Sequence, residues 1–397
     1  MTEILLYDHE KDWHNLLPFT FTRPVSEIRS GILKISEKWS LYLKKNVSFF
    51  TQDYLSKKYP FKTTDSQLII NSSILPDTEL VKVIRSIKQE EALFQNELFI
   101  AACTTNTAIK SLANDDFQSL KRSEYTGKIK KINFSWDIFS LNHEEIISDF
   151  NLLTNNRISA TLNNSNRVIG TGGIFLEEGA KVECAILNTT DGPIYIGKDS
   201  EIMEGSILRG PLAICEHATV KMGAKIYTGT TIGPHCKVGG EINNAVFFGF
   251  SNKAHDGFLG NAVIGEWCNL GADTNNSNLK NNYEYVKAWN YPKKGFIDTG
   301  LIFCGLFMGD HSKCSINTMF NTGTTVGIGA NIFGSGFPRT FIPSFSWGGA
   351  SGFTSYRIDS MFKTAEFAMQ RRNVPFTEED KNILIEIFQS TEEHRKL

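Results

Sequence analysis

The stretch IGKDSEIMEGSILRGPLAICEHATVKMGAKIYTGTTIGPHCKV, residues 196–238, carries an apolar side chain at every sixth position: Ile196, Ile202, Leu208, Ile214, Val220, Ile226, Ile232 and Val238. A second run with the same step follows at Ile302, Met308, Cys314, Phe320, Val326 and Ile332. A step of six matches neither the helical period nor the alternation of a half-buried strand. It fits a chain that turns a corner after each short strand and sends one apolar side chain inward from each flat face, the hexapeptide pattern of a parallel β-helix. Successive coils then stack at the strand spacing of about 4.8 Å. A single coil cannot bury its own apolar face, so stability has to come from stacking neighbours.

Working outward, the period extends from about Arg167 to Phe337, through segments dense in glycine such as IGKDS, RGP, GTTIGP and KVGG. Glycine suits the corners because it enters left-handed backbone conformations cheaply. Two stretches interrupt the period, one around Asn244–Asp256 and the other the asparagine-rich segment Thr274–Asp298. An insertion in a solenoid leaves one edge as a loop, and such loops are where binding collects.

Residues 1–150 read as an α/β domain. EILLY (3–7), VSFFT (47–51), QLIIN (67–71) and ELFIAAC (97–103) are short apolar strands. Between them, Ser26 to Lys45 has near-helical apolar spacing, and Pro76-Asp77 opens a helix running to about Gln89. Strands alternating with helices predict a partly parallel sheet. Trp136 to Leu153 reads as the connection to the solenoid. After about Asp359 the chain leaves the coil for a helical tail, with Thr377-Glu-Glu-Asp as a capping box ahead of Ile383, Leu384, Ile387 and Phe388. These helices are expected to cover the open end of the coil. The expected boundaries are 1–155, 156–354 and 355–397.

Composition narrows the class. A formal net charge of −2 gives no basic field for nucleic acid. No apolar stretch is long enough for a membrane span, and MTEILLYDHEKDW lacks the basic-then-apolar order of a leader. Seven scattered cysteines, with no CxxC pair and no Cys/His zinc spacing, suggest a reduced, cytoplasmic protein without a structural metal.

The segment KAHDGFLGNAVIGEWCNLGADT, residues 253–274, is where the chemistry gathers. It resembles the acetyltransferase domain of the bifunctional N-acetylglucosamine-1-phosphate uridylyltransferase/glucosamine-1-phosphate acetyltransferase family, whose pattern is K-A-G-H-x-x-Y-x-G-D-A-x-I-G-x-x-x-N-x-G-A-G-T. The resemblance implies a left-handed β-helix, a homotrimer with sites between subunits, and acetyl-CoA as cosubstrate. It places His255 on the catalytic histidine and Asn269 on a substrate-contacting asparagine. Glu241, in GGEINNA (239–245), falls on the glutamate that orients the histidine, and Asn278 on an asparagine near the reacting amine. Asn243 stands where the family has a phosphate-binding lysine, Phe258 and Leu279 replace tyrosines, and only Lys225 lies near the place of an arginine. The substrate pocket is therefore expected to differ.

The chemistry is sound on its own terms. An amine attacking a thioester must lose a proton, and histidine titrates near neutrality. The plain alternative is that His255 is an exposed corner residue, the reading also given to His235 and His311.

At the N-terminus no glycine-rich phosphate loop follows EILLY. The chain reads LLPFTFTRPVSEIRSGILKISEKW (16–39) instead, which resembles a divergent sugar nucleotidyltransferase-like group related to the same bifunctional enzyme. The resemblance implies a nucleotide and a sugar 1-phosphate as substrates, with Mg2+ arriving on the nucleoside triphosphate. Arg23 and Arg29 could neutralise phosphates or pin the loop through carboxylates. Asp77 could hold magnesium or open a helix. An enzyme with one active domain, or a non-catalytic sugar-nucleotide sensor on a trimeric scaffold, stand as alternatives to a chain with both activities.

Overall fold

The inward positions of the first run close on one axis. Ile196, Leu208, Ile214, Val220, Ile232 and Val238 have no exposed surface, and Ile202 and Ile226 expose no more than 2%. The computed structural model describes residues 3–62, 66–105, 117 and 120–396. By contacts the chain divides into two units, Met1–Ile28 with Leu33–Phe134, and Arg29–Ile32 with Ser135–Leu397.

The second unit is a parallel β-helix of three faces. Face 1 stacks Arg167–Ile169, Ile186–Asn188, Ile207–Arg209 and Lys225–Ile226, then the beginnings of Glu241–Gly249 and Phe258–Glu266. Face 2 stacks Ile174–Leu176, Ile194–Ile196, Leu212–Ile214 and Thr230–Ile232, the ends of those two long strands, and then Phe307–Met308, Thr325–Val326 and Phe341–Ile342. Face 3 runs from Lys181–Val182 through Glu201–Ile202, Thr219–Val220, Lys237–Val238, Asn252–Lys253, Asn269–Leu270 and Lys313–Cys314 to Asn331–Ile332. Each strand bonds the coils before and after it, so the backbone polar groups of the interior are satisfied along the stack.

The second run holds from Met308 onward, but Ile302 is 40% exposed and lies outside the ladder. On face 1 it is Asn276 that pairs with Phe320. Its buried amide accepts from the Gly260 N–H and donates to the Gly260 carbonyl, so a polar residue is satisfied at an inward place. The chain then leaves the coil, forms the antiparallel hairpin Lys287–Asn290/Gly295–Asp298, and returns through a bridge between Leu279 and Phe303. The spacing of Ile302 from Met308 is a coincidence of that excursion.

The corner between faces 2 and 3 repeats a left-handed residue: His217, His235, Phe250, Trp267 and His311 all have φ between 54° and 61°. Their rings stack along the edge, with centroids 4.7 Å apart for His217–His235 and His235–Phe250 and 4.2 Å for Phe250–Trp267. Stacking offsets the steric cost of placing side chains where glycine is usual. His235 and His311 are thus corner residues, as expected.

The helix Asp137–Thr154 belongs to this unit, so the unit boundary falls at Phe134 rather than at 155. It covers face 2, where Asn142 Nδ2 donates to Thr231 Oγ1 and to the Gly229 carbonyl at 3.0 and 2.8 Å. The segment Arg29–Ile32 is bound to the same helix: the Gly31 N–H donates to Asn142 Oδ1 and the Ile32 N–H to Asp149 Oδ2. In the tail, helix Ile358–Gln370 buries Met361, Ala365 and Met369, and helix Glu378–Ser390 carries the Thr377/Asp380 capping box. The first of them is tied to a flank of the coil rather than its end, since Arg372 donates to Asn252 Oδ1 on face 3. The last face 3 strand, Ser346–Gly349, is covered by its own hairpin partner Gly352–Ser355.

The first unit is a six-stranded mixed sheet of β1 (Glu3–Tyr7), β2 (Val47–Phe50), β3 (Ser66–Asn71), β4 (Glu91–Gln95), β5 (Leu98–Thr105) and β6 (Lys121–Glu124), in the order β2-β1-β3-β5-β4-β6. Strands β1, β2 and β3 are parallel and β5 runs against β3. The helix expected over 26–45 is only Ile35–Leu43, because residues 19–27 are taken up by two tight turns and the Ile35 N–H bonds back to the Ile28 carbonyl. Asp77 caps the helix Thr78–Ser86 by accepting from the Leu80 N–H at 2.8 Å, the simpler of its two readings.

At the carboxyl ends of β1 and β3, where the strand order reverses, a buried polar cluster collects. Asp8 accepts from the Val25 N–H at 3.1 Å and from Thr51 Oγ1 at 2.7 Å. Asp12 accepts from Lys131 Nζ at 2.6 Å and from Ser73 Oγ at 2.8 Å. Burial pushes the Asp8 carboxyl up to about 7, against the hydrogen bonds that lower it.

Two outcomes are expected. Leu208→Ala should lower unfolding free energy by about 3 kcal/mol, and Ile302→Ala by less than about 1 kcal/mol, in chemical denaturation; equal losses would place Ile302 back in the ladder. Because the Asp8 pKa is raised in the folded state, its contribution is present at low pH and is lost as pH rises through about 7. The stability of the wild type relative to Asp8→Asn should therefore fall from about pH 4 to about pH 7 and level off above it; a constant difference would contradict the buried acid.

Candidate active site

The chain leaves face 3 at Lys253, turns through residues 254–257 and enters face 1 at Phe258. Gly257 makes the turn possible: its φ is +112°, and a Cβ there would lie 2.3 Å from the Thr274 carbonyl oxygen. His255 is exposed on this corner. An open cleft of about 600 Å³ runs along the same edge, bordered by Lys221, Gly239, Gly240, His255, Asp256 and Asp273. Successive coils therefore offer a basic side chain, a glycine floor and an imidazole to one groove.

Glu241 opens the preceding coil on face 1, in register with Phe258, and its N–H donates to the Gly257 carbonyl. Its carboxylate sits 3.5 Å from Lys225 Nζ. Among the described residues no hydrogen bond or ion pair joins it to His255, so the lysine has taken the carboxylate expected to orient the imidazole. Asn243 lies further along the same strand, beside Gly260.

The two remaining asparagines go elsewhere. Asn278 donates to Asn261 Oδ1 at 2.8 Å, and with the Asn244 amide oriented to donate to the Phe139 and Gly229 carbonyls, Asn244 accepts from Asn261 at 3.1 Å. The three form a polar ladder along the corner between faces 1 and 2, away from the edge that carries His255. Asn269 is exposed on face 3, in register with Asn252 and Lys313. The structure thus joins His255, Glu241 and Asn243 around one edge and strand face, and separates Asn269 and Asn278 from them.

Arg29 is 5% exposed. Its guanidinium donates to the Phe248 carbonyl at 3.3 Å and to the Ile32 carbonyl, and reaches Cys215 Sγ at 3.9 Å. These bonds to carbonyls pin residues 29–32 within the second unit. Arg23, in the first unit, is 3% exposed. Asn71 is also buried, its amide spent on the Phe99 carbonyl and on Ser73. Among the described residues no group of three or more His, Cys, Asp or Glu is placed to hold a metal ion, and no helix is long and apolar enough to cross a membrane.

Sequence reasoning passed over two residues. Asp8 was signalled by an acidic residue directly after the apolar strand EILLY, where α/β folds gather ligands. Lys253 was read as part of the histidine motif, although it follows Val238 by fifteen residues at an inward place of face 3.

Residues 4–158 match a family described as sugar nucleotidyl transferase. The bifunctional protein GlmU of Legionella pneumophila (strain Corby) is 26% identical over 168 residues, which are 41% of this chain and 32% of that protein. An uncharacterized acetyltransferase of Escherichia coli, YaiX, is 27% identical over 143 residues, 36% of this chain and 61% of that one. A solved structure of an Arabidopsis UDP-N-acetylglucosamine acyltransferase aligns over 55% of this chain and 78% of its own, at 15% identity and a TM-score of 0.21, too slight a likeness to bear on fold or function. The aligned region spans about a third of the Legionella GlmU. Residues 4–158 thus match the sugar nucleotidyl transferase family, and the chain is similar over part of its length to the bifunctional GlmU proteins.

Proposed function

We propose that the cleft beside His255 transfers an acetyl group from acetyl-CoA to the amino group of an aminosugar phosphate. The observation that carries this reading is an exposed imidazole at the lip of an open groove, on a corner built of glycine. In the reaction the amine attacks the thioester carbonyl carbon, His255 accepts the amine proton, and the thiolate leaves and is protonated. Backbone N–H groups at the corners supply donors for the developing oxyanion. Lys225 faces Glu241, so in this site the glutamate serves a cation rather than the imidazole. Lys221 on the groove suits a phosphate of either substrate.

A homotrimer follows from the same reading. Helices of the chain pack on parts of faces 2 and 3, whereas outward positions of face 1, such as Ile207 and Met319, are exposed. Two further copies along that edge would enclose the groove.

For the N-terminal domain we propose nucleotidyl transfer to a sugar 1-phosphate, with Mg2+ carried in by the nucleoside triphosphate. A second reading, a sugar-nucleotide sensor without turnover, is favoured by one observation. Leu16, Leu17, Phe19, Thr20, Val25, Ser26 and Ile28 are buried, and Val25 is bonded to Asp8 at the strand ends where a ligand would sit.

Acetyl transfer from acetyl-CoA to a panel of aminosugar phosphates should be measurable for the wild type, and His255→Ala should lower kcat by about 100-fold or more with its fold intact by circular dichroism. Equal turnover by the variant would remove His255 from the mechanism.

A further inference from the structure

The inward column of face 3 reads Val182, Ile202, Val220, Val238, Lys253, Leu270, Cys314 and Ile332. All are apolar in character except Lys253, which is 1% exposed inside the coil. Its ammonium donates to the carbonyls of Gly239 at 3.3 Å, His255 at 2.8 Å and Asp256 at 3.2 Å. Gly239 belongs to one coil, and His255 and Asp256 to the corner of the next. An ammonium has three N–H donors and here meets three acceptors, so it is fully used. Those acceptors are backbone groups of the wall whose outer surface is the cleft.

The coil is also shorter here. Lys253 follows Val238 by fifteen residues, whereas Val238 follows Val220 by eighteen. A shortened turn brings carbonyls inward that a regular coil would direct at its neighbours, and the lysine supplies their donor. Asp256, on the same corner, and Asp273, on the corner of the following coil, favour the charged form, as does Cys314 on the column.

We propose that Lys253 is a positioning residue: its interior ammonium clamps the corner that carries His255 from behind. The kinetic consequence rests on the acyl-transfer reading of the cleft; the clamp does not. Burial lowers the Lys253 pKa to about 8. A lysine whose folded pKa is depressed costs the closed state below that pKa, and the cost fades as pH rises from about 8 toward the unfolded value. Lys253→Met removes the donor to the Gly239 and His255 carbonyls, so the corner should loosen in the variant.

The test uses the full chain. Hydrogen exchange from about pH 6.5 to about pH 9.5, corrected for intrinsic rates, follows the amides of Gly239, Glu241 and Asp273, which bond the Lys253, Gly257 and Asp256 carbonyls around the clamp. At each pH their protection should be about tenfold lower in Lys253→Met than in the wild type, and in the wild type it should not fall as pH rises through about 8. With acetyl-CoA and the accepted aminosugar phosphate, kcat should fall about tenfold in the variant and KM should change little. Unchanged protection in the variant overturns the clamp without reference to activity. Lowered protection with an unchanged kcat overturns the positioning role. Absence of turnover in the wild type overturns the acyl-transfer reading instead, and the exchange comparison then decides the clamp alone.

Discussion

Parallel pairing between successive coils is the interaction on which the β-helix depends. Every strand there is only two to nine residues long and has no independent stability, so its N–H and C=O groups must be met by the coil before and the coil after. That register admits one inward side chain per short face, and the close stacking of those side chains removes the largest apolar surface of the chain from water. The helix Asp137–Thr154 and the tail helix Ile358–Gln370 are secondary to this. They cover faces whose geometry the ladder has already set.

Departures from the apolar ladder are local and carry information. Asn276 stands at an inward place just before the chain leaves the coil for the hairpin insertion, and it bonds the backbone of Gly260 on both sides. Lys253 stands at an inward place just before the His255 corner. In each case a polar group is tolerated because all of its hydrogen-bonding capacity is used, and an unsatisfied group in the same position would cost more than the lost apolar contact. Irregular turns of the solenoid and its candidate chemistry therefore coincide for a physical reason: a shortened or interrupted coil frees backbone groups that need partners.

The first unit shows a different solution to the same problem of buried polarity. Parallel strands β1, β2 and β3 end together, and the chain between Leu16 and Ile28 closes over them, with the Val25 N–H and Thr51 directed at Asp8. Asp12, Lys131, Ser73 and Asn71 complete an internally satisfied set. The low exposure of Arg23 belongs to the same closed arrangement.

The six-residue period, the strands at 3–7, 47–51 and 67–71, and the Thr377 capping box were all legible in the linear order of residues, because each is a local rule about where apolar side chains or helix-capping oxygens recur. His255 was legible as an exposed corner residue for the same reason. What the tertiary structure decided were matters of long-range partnership. Ile302 fits the period yet lies outside the ladder, Arg29 bonds the carbonyl of Phe248, 219 residues away, Asn278 joins an asparagine ladder, and Glu241 faces Lys225. Periodicity reports which way a side chain points within its own coil; which atoms wait for it there is fixed only when distant coils are stacked against one another.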